Sequence, residues 1–183
     1  MNMIIKRFTF LLIGVTLNLS ANAQEQSSAV QAKSFFDRCF FDGNVETGMK
    51  QHDINPLFLN FSVGYYFTPQ FYGSVKLENQ LGLHKEDGTK TYRNGTGLGV
   101  GIGYQLDKPS EYGVTYDLQA SFLNSIAHTD WKNTTYDIGI TMHGNTVKKK
   151  VLPYIGVGFK YINSHTHEVR NYCGVYATIG MKY

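Results

Sequence analysis

Two short strings bring residues of catalytic or metal-binding type close together. Ser125, His128 and Asp130 fall within one polar stretch. A serine beside a histidine that an acid orients is what hydrolytic or acyl-transfer chemistry requires. His165, His167 and Glu168 (HTHE) set two imidazoles at alternate positions next to a carboxylate, a donor set suited to zinc or copper. Neither string has the fuller spacing of a metal or hydrolase signature, and both are common loop material. No cofactor is therefore expected. Trp131 (HTDWKNTT) and the pair Tyr92 and Arg93 (KTYRNG) are further candidates, as exposed contact residues in loops.

A second set of chemically able residues lies inside alternating apolar runs. Glu46, Glu78, Asp117 and Asp137, with Lys76, Lys160 and Lys182, all fall on the polar face of such a run. Charges removed from water must be paired and hydrogen-bonded. Asp137 and Lys160 are expected to pair near the ends of adjacent strands. Lys76, Glu78, Asp117 and Glu46 are expected to form a network at mid-height, with Asn60, Gln80 and Gln119 as neighbours.

The elements that must position these residues are strands. Beyond residue 23 no segment sustains a 3.6-residue apolar repeat, whereas period-2 alternation recurs eight times, the mark of a strand with two unlike faces. The runs are 40–49, 57–67, 71–83, 96–106, 112–122, 136–143, 151–162 and 172–183. Most approach the ~9 to 11 residues a tilted strand needs to cross a bilayer. In the last run Val175, Ala177, Ile179, Met181 and Tyr183 oppose Gly174, Tyr176, Thr178, Gly180 and Lys182. In the fourth, Leu98, Val100, Ile102 and Tyr104 oppose Gly97, Gly99, Gly101 and Gly103.

The connections alternate in length. After even strands they are tight, at 68–70, 107–111 and 144–150; after odd strands they are longer and polar, at 50–56, 84–95, 123–135 and 163–171. An up-and-down barrel puts the two kinds at opposite ends, and outer-membrane barrels have short periplasmic turns and long outer loops. Tyr65, Phe67, Phe71, Tyr104, Tyr112 and Tyr183 all fall on the apolar faces near the short-turn end, as an interfacial aromatic girdle would. Phe122, Tyr136 and Tyr161 form a looser set near the other end. The opposite faces, rich in Gly and Ser, suit the crowded interior of an eight-stranded barrel, with Phe58, Tyr66, Tyr72, Tyr154 and Tyr176 as interior aromatics.

Composition sets the outer bounds. The chain has 183 residues, 14% of them aromatic, with 19 Gly, 4 Pro and 17% charged. That excludes collagen-like and disordered classes. Lys6 and Arg7 precede the apolar run 8–19 and the small-x-small string Ala21-Asn22-Ala23, which predicts a secretory signal over 1–23. Residues 24–39 read as a periplasmic lead-in and 40–183 as the barrel. Without the signal, 17 basic residues against 14 acidic fall close to balance, which argues against nucleic-acid binding. Cys39 and Cys173 are expected at opposite rims, too far apart for a disulfide.

With its strand count, its connection asymmetry and its closing strand CGVYATIGMKY, the chain resembles the small eight-stranded outer-membrane β-barrel proteins of Gram-negative bacteria over residues 40–183. The resemblance implies an all-β, antiparallel, monomeric transmembrane barrel. Its partners would be outer-membrane lipid and lipopolysaccharide, the barrel assembly machinery reading the C-terminal strand, and an extracellular ligand or protein met through the long loops. Fold alone assigns no activity. A structural or surface-interaction role is expected; a lipid A or phospholipid hydrolase or acyltransferase, and a soluble lipocalin-like barrel, are the alternatives.

Overall fold

The computed structural model describes residues 35–51, 54–86, 89–106, 113–126, 129–144, 151–167 and 169–183. By its contacts the chain divides into residues 1–37 and 38–183. A short 3-10 turn spans Phe35–Arg38. The expected signal segment and residues 24–34 of the lead-in lie outside the described residues.

Eight antiparallel strands follow: β1 (Cys39–Gly48), β2 (Ile54–Tyr66), β3 (Phe71–Glu86), β4 (Thr89–Gln105), β5 (Val114–Ser125), β6 (Asn133–Gly144), β7 (Leu152–Ser164) and β8 (Tyr172–Lys182). Each pairs with its sequence neighbour and β8 closes on β1. The ladder fixes the stagger. A row of paired residues leaving β1 at Cys39 runs through Tyr65, Gly73, Ile102, Ala120, Ile138, Phe159 and Val175, and meets β1 again at Met49. This ten-residue offset, from Cys39 to Met49, means steeply tilted strands around a narrow lumen.

Alternation decides the two faces. Val100, Ile102, Leu118, Ile138, Ile140, Val157, Ile179 and Met181, among many others, are exposed on the outer wall. Glu46, Glu78, Lys76, Asp117, Asp137, Lys160 and Lys182 are buried inside it. The lumen is narrow enough that glycine is needed where a large ring crosses it. A Cβ on Gly103 would stand 2.0 Å from the Tyr72 ring, and one on Gly158 2.4 Å from that of Tyr176.

The strands outrun their sequence limits at the long-loop end. The stretch 84–95 was expected to be a loop, yet β3 and β4 continue through it as a ladder that ends at Glu86↔Thr89. Alternation there is masked because residues 84–94 are polar on both parities. Asp87 and Gly88, between the two strands in sequence, lie outside the described residues. The connection expected at 123–135 shrinks to 126–132, and β5 carries Leu123 inward. Pro56 fits in β2 because it lies past the last β1 pair, Thr47↔Leu57, where a missing N–H breaks no ladder bond on that side. At the other end Thr68 closes the β2–β3 turn, its Oγ1 accepting from the Phe71 backbone N–H at 2.9 Å.

Cys39 stands opposite Tyr65 and Cys173 opposite Tyr161, at opposite ends of the barrel, and no disulfide joins them. Tyr65, Phe67 and Phe71 make a run of ring contacts at 5.6 and 5.7 Å, with Tyr104 opposite Phe71 in the ladder. Tyr183 is outward and exposed; Tyr112 lies outside the described residues. At the other end Phe122, Tyr136 and Tyr161 pack in sequence at 5.3 and 6.2 Å.

Candidate functional site

The chemically able residues converge in the lumen, in three tiers set by strand position. Nearest the short turns, Lys182 of β8 donates to Asp117 Oδ2 of β5 at 2.8 Å and to the Tyr66 hydroxyl at 3.2 Å. Its ammonium faces the rings of Tyr72 at 4.5 Å and Phe40 at 4.8 Å, a cation–π cage that offsets part of its desolvation. The other Asp117 oxygen lies 3.3 Å from His143 Nε2. Asp117 thus belongs to this tier and not to the mid-height network expected of it.

The middle tier joins four strands. Lys76 of β3 donates to Asp137 Oδ2 of β6 at 3.0 Å and lies 3.5 Å from Glu46 of β1 and 3.8 Å from Glu78. Lys160 of β7 donates to Glu46 and, at 2.6 Å, to Glu78, with its ammonium 3.8 Å above the Phe58 ring. The expected Asp137–Lys160 pair is not made. The two are opposite in the ladder, but the lumen is narrow enough for each lysine stem to cross it. Lys160 reaches Glu46 on β1 and Glu78 on β3, and Asp137 takes Lys76, Ser121 at 3.3 Å and the Tyr176 hydroxyl at 2.7 Å.

Toward the long loops the charges give way to amides. Gln80, Asn133 and Thr135 bond to one another, with Gln80 also donating to Glu78 at 2.8 Å. Above them Trp131, Phe58, Ile162 and Tyr172 form an apolar cluster that caps the lumen. Trp131 was expected to be exposed. It is wholly buried: its backbone N–H bonds Asn94 O at 3.0 Å, its carbonyl accepts from Asn133, and its indole N–H donates to Ser164 at 3.3 Å.

Sequence reasoning missed Trp131, His143 and Leu123 as lumen residues, although strand parity could have found them. Trp131 shares parity with the inward Asn133, Thr135 and Asp137, His143 continues the same series, and Leu123 follows Gln119 and Ser121.

The other candidates do not assemble. Ser125 Oγ donates to the Asn133 carbonyl at 2.9 Å and accepts from the Asn133 N–H at 2.6 Å, so it ties β5 to β6. Asp130 is exposed, its carbonyl accepting from Thr166, and His128 lies outside the described residues. His165 Nε2 lies 2.9 Å from Thr134 Oγ1 on the outside, and His167 is exposed. Glu168 also lies outside the described residues. Among the described residues no group of three or more His, Cys, Asp or Glu is arranged to hold a metal. Side chains of Tyr92 and Arg93 are not described.

The sequence matches no protein-family model and no curated protein. Among solved structures, the chain is similar to the N-terminal β-barrel domain of Pseudomonas aeruginosa OprF, at 10% identity and a TM-score of 0.44, over 79% of this chain and 96% of that one.

Proposed function

We propose that this chain is an outer-membrane β-barrel with a closed, side-chain-filled lumen, whose role is structural or one of surface interaction through its long-loop end. The observation that carries the reading is the inversion of polarity across the wall. Valine, isoleucine, leucine and aromatic side chains face outward around the whole barrel, while five ionisable side chains, Glu46, Glu78, Asp137, Lys76 and Lys160, share its centre. Water-soluble monomers rarely expose apolar patches beyond a few hundred Å². A closed barrel with every strand paired also leaves no sheet edge for lipid to meet. A soluble lipocalin-like barrel would put these two faces the other way round.

Aromatic rings at both ends of the apolar band fit the two interfaces of a bilayer. The filled lumen favours a plug over a pore: an ion crossing it has to part Lys160 from Glu46 and Glu78 and also dislodge Trp131. On this reading residues 1–23 direct export, the strand ending at Tyr183 is presented to the assembly machinery, and the outer wall contacts lipid and lipopolysaccharide.

The test is fractionation with gel mobility. The folded protein is expected in the outer-membrane fraction and to migrate differently before and after boiling in SDS, and the purified barrel in liposomes is expected to carry no steady large current. Recovery in the periplasmic soluble fraction would refute the membrane reading, and sustained conductance would refute the plug.

A further inference from the structure

We propose that the lumen binds one monovalent hard cation, sodium or potassium, against Asp42. A cavity of about 30 Å³ lies between the lower and middle tiers, enough for about two water-sized occupants. Its wall is shared between oxygen donors, from Asp42, Asn44, Ser62, Ser74, Gln119 and Ser121, and the apolar surface of Phe40, Tyr72, Ile102 and Ala120, with Asp137 and Lys76 beside them. Carboxylate, amide and hydroxyl oxygens are the donors hard cations take.

Asp42 is an inward, partly buried carboxylate that accepts from Tyr154 and feels the charges of Lys182 and Lys76 without contacting either. Among the described residues no cationic nitrogen is in an ion pair with it. Lys182, its ladder partner, leans away onto Asp117 at 2.8 Å, and Lys76, in the same row of the sheet, is held by Asp137 at 3.0 Å. A partly buried carboxylate with no counter-charge in contact is disfavoured.

The hydrogen bonds around Asp42 are oriented for the anion. Asn60 donates to Asn44 at 2.8 Å, Asn44 to the Tyr154 hydroxyl at 2.9 Å, and Tyr154 to Asp42 at 2.7 Å. Every donor in this chain points toward Asp42, so each link strengthens the next and the negative end is the carboxylate.

The charges that line the cavity itself suit a monovalent ion. Around the cavity, Asp42 and Asp137 face Lys76 alone, one negative charge in excess. A monovalent ion restores balance, whereas a divalent ion would leave positive excess beside the Lys76 ammonium. Over the whole described lumen Asp42, Glu46, Glu78, Asp117 and Asp137 face Lys76, Lys160 and Lys182.

Sodium binding to the folded barrel in detergent micelles tests this, by ²³Na NMR and calorimetry in choline chloride at constant ionic strength, choline being too large for the cavity; potassium is run separately. Saturable binding is expected in the native protein and at least ten-fold weaker binding in Asp42→Asn. Absence of saturable binding of either ion, or equal binding in Asp42→Asn, overturns the proposal, and means that Asp42 holds a proton beside water. If Asp42→Asn does not fold, thallium(I)-soaked crystals of the native protein decide: an anomalous peak at the cavity supports the site and its absence overturns it.

Discussion

Replacing Lys160 by methionine keeps most of the side-chain stem and removes the charge at the point where the lumen depends on it most. The ammonium is fully buried and donates to Glu78 at 2.6 Å and to Glu46. Without it the cation left to both carboxylates among the described residues is Lys76, 3.5 and 3.8 Å away and already committed to Asp137 at 3.0 Å. Two charge-assisted bonds at about 1.5 to 3 kcal/mol each, together with the loss of one partner from a buried ion pair, give an expected cost of about 3 to 5 kcal/mol. Equilibrium urea unfolding in lipid vesicles measures it, with the emission of Trp131, the sole tryptophan of the chain, as the probe. The triple variant Lys160→Met/Glu46→Gln/Glu78→Gln removes the uncompensated charges too. It is expected to regain about 2 kcal/mol relative to the single variant, because the penalty is coupled among residues in contact. Lys160→Met within about 1 kcal/mol of the native protein, or a triple variant less stable than the single one, would show that the cluster does not hold the barrel.

Trp131→Ala, which removes the centre of the apolar cap, is expected to lower stability by about 3 to 5 kcal/mol, read as an earlier loss of the fast-migrating gel form on heating. In the native protein Trp131 emission should be blue-shifted and resist iodide quenching; ready quenching would contradict its burial. Gly99→Ala is expected to prevent recovery of the folded form, since a Cβ there would stand 1.9 Å from Phe122 O and 2.5 Å from Leu123 Cα, both backbone atoms. Gly144→Ala, with nothing within 4 Å, is the control that should refold normally. Val157→Arg, mid-strand on the outer wall opposite Ile140, should cost about 2 to 4 kcal/mol in vesicles if that wall meets lipid; an effect near zero would count against the membrane reading.

How much of this was legible in the sequence follows from which parts of the barrel obey a period. Parity alone assigns each strand residue to a face, because a one-residue slip would turn a whole set of apolar side chains into the lumen. Leu98, Val100 and Ile102 against Gly97, Gly99 and Gly101 therefore reveal their sides without coordinates. Which lumen charge meets which is a different matter. Ladder neighbours suggested Asp137 with Lys160, but a lysine stem that spans the lumen chooses among walls, and Lys160 found Glu46 and Glu78 on strands far away in the chain. Where the strands rise past the apolar band, both parities are polar and the ladder at 84–94 left no periodic trace.

The same asymmetry locates the specificity of this protein. The outer wall needs only apolar residues at alternate positions, a condition many side chains meet, and it accounts for a mean hydropathy of -0.26 in a chain whose exposed surface is so apolar. The lumen has no such tolerance. Asp117 serves Lys182 and His143, Asp137 serves Lys76, Ser121 and Tyr176, and the Gln80 amide is shared among Glu78, Asn133 and Thr135. Exchange of one member strands the partners of the next, because a half-satisfied buried network costs more than an apolar one. Any function that distinguishes this barrel from others of its shape is therefore to be sought in the lumen tiers and the loops that cap them, and not in the wall.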